Sequence, residues 1–203
     1  MFSTSKNAGR RSPKQTRSTE RRDSILLAAQ DLFAEKGYER VTMTAIAQRA
    51  GASFGALYDY FPDKVSIARA LFAAYTQKAD EYWATMLKED RAKSAETLAN
   101  QIVEGAILFL HEHPAYLALL EAPMAFARTK AARRPLRSTF GAVIHQIYPD
   151  MEIAGMSLAS DVIVGLLKAL FNLYKDASSI ERERLRLYFK SLIQHYVECV
   201  LPD

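Results

Sequence analysis

The stretch from Ile46 to Lys64 reads IAQRAGASFGALYDYFPDK, and its reading decides the fold. A helix-favouring run stops at Gly51, restarts after Ser53 and stops again at Pro62. Thr42 is placed to cap a helix over residues 43–50, and Ser53 to cap a second over residues 54–61. Pro62 lacks the N–H that would continue it. Upstream, the periodicity predicts a helix over residues 20–36, with Ile25, Ala28, Leu32 and Phe33 on one face and Gly37 as its stop. Two short helices joined by a glycine turn and steadied by a preceding helix make a helix-turn-helix, whose second helix enters the major groove of DNA.

At about 100° per residue, Leu57 and Phe61 point together into a small three-helix core, while Gly55, Ala56 and Asp59 point away from it. Tyr58 and Tyr60 fall on opposite flanks. Small residues at the tip let the backbone approach base edges, and phenols beside them can donate to phosphates on either groove wall. Thr42 and Thr44 combine hydroxyls with the free amides and positive end of a helix N-terminus. Lys64 adds an ammonium expected to reach phosphate. Asp59 has two readings: an acceptor for a cytosine amino group, or a repulsive charge held by a nearby arginine. Phe54 either meets a thymine methyl or covers the small core, and the core is the favoured reading. The candidate DNA-contacting set is therefore Thr42, Thr44, Ser53, Phe54, Gly55, Ala56, Tyr58, Asp59, Tyr60 and Lys64.

The longer segment AAQDLFAEKGYERVTMTAIAQRAGASFGALYDYFPDK resembles the DNA-binding domain of the tetracycline-repressor (TetR) family, above all in IAxxAGxS, then GxLYxYF, then a lysine three residues on. Ala52 and Ile67 stand where larger or differently branched apolar residues are usual, a difference of packing only. The resemblance implies a dimeric repressor on a palindromic operator, released when a small molecule enters the C-terminal domain. It carries the usual contacts onto Thr42, Thr44, Ser53, Gly55, Ala56, Tyr58, Tyr60 and Lys64.

The rest of the 203 residues reads as helix throughout, with no period-two alternation. Long helical patterns run from Ser66, from Ser94 to Pro114, and through two C-terminal segments; shorter ones occupy residues 115–127, broken near Pro123, and residues 138–149. The expected fold is all-α with about nine helices: a helix-turn-helix domain over residues 19–65 and an effector-binding and dimerisation domain over residues 66–203. Residues 1–18 form a basic arm, expected to be disordered because it holds no apolar run. Polyanion binding and a merely solubilising role both fit that arm.

A segment apolar on every side, ASDVIVGLLKALFNLYKD, needs cover all round. The last helix adds two apolar sides, Leu185, Tyr188, Leu192 and Val200 on one and Phe189, Ile193, Tyr196 and Val197 on the other. One small domain rarely covers so much, which points to a homodimer through the last two helices. Candidate residues around an effector cavity are Tyr75, Tyr82, Trp83, Met86, Phe109, Tyr116, Met124, Phe126, Phe140 and Phe171. Solid core is the competing reading for each of them.

Catalytic chemistry finds no support, because no nucleophile elbow, phosphate loop or acid–base pair appears. No cofactor or metal is expected. His111 and His113 sit two apart, on different helix faces, as last-turn residues complementing the helix dipole. The single cysteine, Cys199, forbids an internal disulfide, which fits a reducing cytoplasm and a protein working on the nucleoid. No membrane role is expected. Two other classes remain beside the sensor: an effector-independent architectural DNA-binding protein, and a helical carrier of small molecules or lipids.

Overall fold

A computed structural model of the chain describes residues 13–89, 92–120, 122 and 134–199. Among these the chain forms nine helices and no strand. In order they are α1 (Pro13–Arg40), α2 (Met43–Arg49), α3 (Phe54–Tyr60), α4 (Lys64–Glu89), α5 (Ala95–Glu112), α6 (Pro114–Leu120), α7 (Arg134–Ile147), α8 (Ile153–Asp176) and α9 (Ser179–Cys199).

Helix ends follow local chemistry. Thr42 Oγ1 accepts from the Ala45 amide at 3.2 Å, and Ser53 Oγ accepts from the Ala56 amide at 3.2 Å. Gly51, at φ +62°, takes the left-handed conformation that ends α2 without a Cβ clash. Asp63 caps α4 through the Ser66 amide at 2.6 Å, so α4 begins two residues before the expected Ser66. Ser94 and Thr97 close a reciprocal box at the head of α5.

Two expectations need correction. Residues 13–18, expected within a disordered arm, continue α1, because Pro13 suits a first helical position and the packed helix behind it removes the cost of nucleation. The chain leaves helical geometry at Gly37, with φ 75° and ψ 161°, as expected, but the following turn keeps helical pairing to Arg40. Of the expected helix over residues 115–127, α6 accounts for the part up to Leu120. Its remainder, with Met124 and Phe126, lies outside the described residues, as do Val200 and the side chain of Cys199.

One continuous apolar core joins the two halves. Ile25, Leu32, Phe33, Ile46, Leu57 and Phe61 bury the small three-helix domain. Ile67 and Leu71 on α4 extend that core into the larger bundle, where α5 packs on α9, α7 on α8, and α6 on α1. Ion pairs pin helix to helix: Arg137 forks onto Asp161 between α7 and α8, and Arg186 and Lys190 of α9 both hold Glu104 of α5. Burial pushes the Glu104 carboxyl up, but those two cations together outweigh it and hold it below the usual carboxylate range.

Candidate nucleic-acid interface

The short α3 turns Leu57 inward, fully buried, with Phe61 just beyond its end, and leaves Phe54, Gly55, Tyr58 and Asp59 exposed among the described residues. Gly55 is exposed, and a Cβ built there would meet no atom of the protein within 4 Å. Among the described residues, no side chain packs against it that would require its smallness. Phe54 and Tyr58 are 48% and 43% exposed and touch each other at 5.1 Å between ring centres. The favoured core reading of Phe54 is thus corrected. It sits in the first turn of α3, one residue after the cap, where the helix axis carries it away from the Ile25–Phe33 core.

Thr42, Thr44 and Ser53 are exposed, Ala56 is half-exposed, and the Thr42 and Ser53 hydroxyls serve as caps. Asp59 is exposed and, among the described residues, pairs with no cation, so the arginine-held alternative finds no partner. Tyr60 is half-buried, and its hydroxyl shares a hydrogen bond of 3.0 Å with Ser18 Oγ. That bond lays the early turns of α1, with exposed Arg17 and Arg21, beside the end of α3. Arg22 adds a guanidinium 5.7 Å from the Phe61 ring. The sequence marks these arginines only as part of a basic run; their alignment with α3 depends on the helix reaching back to Pro13.

Lys64 is placed differently from expectation. Its ammonium donates to the carbonyl oxygens of Tyr38 at 2.9 Å and Glu39 at 3.2 Å, and lies 4.2 Å from the centre of the Tyr38 ring. The head of α4 is thereby fastened to the last turn of α1, whose Tyr38 carbonyl also accepts from the Val41 amide at 3.3 Å. Burial pushes the Tyr38 phenol above its ordinary range, helped by Glu39 and Asp63. Arg49 forks onto Glu35 with two bonds of 2.9 Å, holding α2 against α1, and this pairing draws the Glu35 carboxyl down. Neither Tyr38 nor the Glu35–Arg49 pair has a sequence signal at helical spacing.

In the larger domain the described effector candidates do meet. Tyr116 contacts Tyr75 at 5.7 Å, Phe109 at 5.6 Å and Phe171 at 6.1 Å between ring centres. Tyr82 continues the cluster to Phe109 at 5.5 Å and to Trp83 at 5.4 Å, and Trp83 reaches Phe140 at 5.3 Å. Met86 packs against Gly105, whose carbonyl accepts from the Tyr82 hydroxyl at 3.0 Å. Burial, with a smaller contribution from Asp31, raises the Tyr75 phenol to about 12. His113 lies against Phe109 at 4.6 Å and Tyr75 at 5.4 Å. Burial, aided by Lys78, lowers its pKa against the opposing pull of Glu112. No group of His, Cys, Asp and Glu among the described residues could hold a metal ion.

The last two helices present apolar side chains outward. On α8, Leu158 and Leu173 are 66% and 53% exposed, and Val162, Leu166 and Ala169 follow the same stripe between them. On α9, Tyr188 and Leu192 are exposed while Phe189, Ile193 and Val197 are buried. Of the two apolar sides read from the sequence, one is covered at Phe189, Ile193 and Val197, while the other is open at Tyr188 and Leu192 and half-buried at Leu185. Helix α8 is long and apolar enough to cross a bilayer by length and composition alone, with a mean hydropathy of 1.7.

Residues 25–71 match the family described as bacterial regulatory proteins, tetR family. Among curated proteins, the repressor BepR of Brucella suis is 33% identical over 90 residues, 44% of this chain and 43% of that protein. The repressor KstR of Rhodococcus jostii is 43% identical over 61 residues, 30% of this chain and 29% of that one. The chain thus spans under half the length of these curated relatives. Among solved structures, a TetR-family transcriptional regulator from Pectobacterium atrosepticum superimposes with a TM-score of 0.73 at 18% identity, over 95% of this chain and 99% of that one. One from Streptomyces coelicolor gives 0.67 at 21% identity, over 89% and 99%. At such identities the likeness concerns the fold, all-helical with a helix-turn-helix at its N-terminal end.

Proposed function

Since the chain belongs to the TetR family of bacterial regulatory proteins, and is a DNA-binding helix-turn-helix regulator rather than an enzyme, we propose that it is a homodimeric repressor whose grip on a palindromic operator is released by a small molecule. The observation that carries this reading is the outward face of α3: a glycine with open space above it, flanked by exposed Phe54, Tyr58 and Asp59. Among the described residues, nothing packs over the Gly55 end of that face. Gly55 and Ala56 approach the base edges, Asp59 accepts from a cytosine amino group, and Tyr58, Tyr60, Thr42, Thr44 and Ser53 address the backbone.

Two half-sites need two readers. The open stripe of α8, with Tyr188 and Leu192 of α9, supplies the second copy's seat as an isologous four-helix interface. The same cover accounts for the apolarity of α8 without a bilayer. The aromatic cluster around Tyr116 and Phe109 receives an apolar or aromatic effector, and α4 carries its influence from Tyr75 and Tyr82 to Lys64 beside the reader. The effector acts only through its differential affinity for the two arrangements. Division of labour at about residue 65 follows from this, as does work on the nucleoid in the cytoplasm.

Selection of duplexes from a random pool by the purified protein, followed by footprinting with and without small-metabolite hits from a thermal-shift screen, tests the reading. A two-fold symmetric footprint that a hit abolishes supports it. A footprint without sequence preference would assign the chain instead to the architectural class, and ligand binding without any footprint to the carrier class.

A further inference from the structure

A cleft of about 460 Å³ opens where the DNA-reading domain meets the larger bundle, away from the aromatic cluster. Its walls come from α1, α5, α6, α8 and the head of α9. The apolar lining includes Phe33, Leu110 and Leu117; the ionisable side chains lining it besides Tyr174 are His111, Lys175 and Arg182, every one of them basic. Arg182 is fixed in advance: its Nε donates to the Tyr174 carbonyl at 3.1 Å, and its guanidinium lies 4.8 Å from the Tyr174 ring centre. The guanidinium's remaining N–H donors lie outside that bond. Lys175 also pairs with Asp176 at 3.8 Å.

We propose that this cleft is a second ligand site, for a small amphipathic organic anion: a carboxylate held by Arg182 and Lys175, with its apolar body against Phe33, Leu110 and Leu117. The volume falls within the range of small-molecule sites, roughly 300–1,000 Å³. The absence of any Asp or Glu from the lining sets the sign of the ligand's charge. Because one wall belongs to α1 of the reader and the others to the bundle, occupancy ties the two together. The bound anion opposes any rearrangement that pulls α1 away from α6 and α9.

The test uses the full-length protein with octanoate and its neutral counterpart octanamide, measured by calorimetry. Octanoate should bind about tenfold more tightly than octanamide, the difference of one charge-assisted contact. The double variant Lys175→Gln with Arg182→Gln should abolish that preference, and Ala34→Leu, which fills the cleft from an exposed helical position, should weaken both ligands. Circular dichroism checks that each variant keeps its helices, and Ala34→Leu gives a reading even if the double variant is impaired. Equal binding of octanoate and octanamide, no binding of octanoate, or octanoate affinity unchanged in both variants would overturn the proposal. None of these outcomes bears on operator recognition.

Discussion

Replacing Lys64 by Met separates two roles for the same ammonium. If it meets a phosphate, each protomer loses one counterion-releasing contact, and the slope of log K against log salt becomes shallower by ~0.9 per contact, or about 1.8 for a dimer. The structure instead places Nζ on the Tyr38 and Glu39 carbonyls at 2.9 and 3.2 Å. Methionine keeps the aliphatic stem against the Tyr38 ring but removes both bonds and the cation–ring contact at 4.2 Å. Hydrogen bonds from charged groups are worth ~1.5–3 kcal/mol when dry. This site is half-exposed and water replaces part of the loss, so a total near 1–2 kcal/mol is expected. For a chain of this size that lowers Tm by roughly 3–6 °C. Fluorescence anisotropy with a selected operator, titrated over about a tenfold range of KCl, gives the slope, and differential scanning calorimetry gives Tm. The expected outcome is a reduced Tm with the wild-type slope. A slope shallower by ~1.8 with unchanged Tm would refute the clamp and return Lys64 to the DNA.

Asp59→Asn should alter base preference at one position in each half-site, because an amide donates where a carboxylate only accepts; a uniform gain in affinity for all duplexes would mark Asp59 as merely repulsive. Leu173→Glu on the open stripe of α8 should turn the dimer into a monomer in analytical ultracentrifugation and weaken operator binding, and a persisting dimer would move the interface elsewhere. Gly105→Ala places a methyl 2.6 Å from Met86 Sδ and 3.2 Å from Trp83 Cζ3. The crowding, ~1–3 kcal/mol, exceeds the gain of about 1 kcal/mol in helix propensity, so Tm should fall and the emission of Trp83, the only tryptophan, should shift. A raised Tm would show that Met86 yields freely. His113 has a folded pKa below its unfolded value, so its contribution to stability is complete above about pH 6.5 and is lost as pH falls toward the folded value. His113→Gln should flatten the decline of Tm across that window, and an unchanged decline would assign it to other groups.

What the sequence reveals here is what depends on near neighbours. Thr42, Ser53, Gly51 and Pro62 set the ends of α2 and α3 from within three or four residues, and the inward pair Leu57 and Phe61 follows from one helical period. The two apolar sides of α9 are legible for the same reason, though which of them the chain itself covers is not. Contacts between distant segments are not. Lys64 has the composition of a phosphate ligand, and only the return of α1 to its side, twenty-odd residues earlier in the chain, supplies the carbonyls that engage it. Phe54 reads as core because it is large and apolar, yet its place in the first turn after the cap takes it outward. His113 has a charge partner by position and a neutral aromatic box by packing. The aromatic cluster is legible as composition, but its convergence on Tyr116 requires α4, α5, α6 and α8 to be assembled.

The helix α4 runs without interruption for 26 residues, about 39 Å at ~1.5 Å per residue. A rod of that length converts angle into travel. Pivoting it by ~5° about its C-terminal end carries its tip about 3.4 Å, the rise of one base pair. In the proposed dimer, a side-chain adjustment small enough to pass for thermal jostling at the far end would therefore suffice to put each half one rung out of step with the duplex.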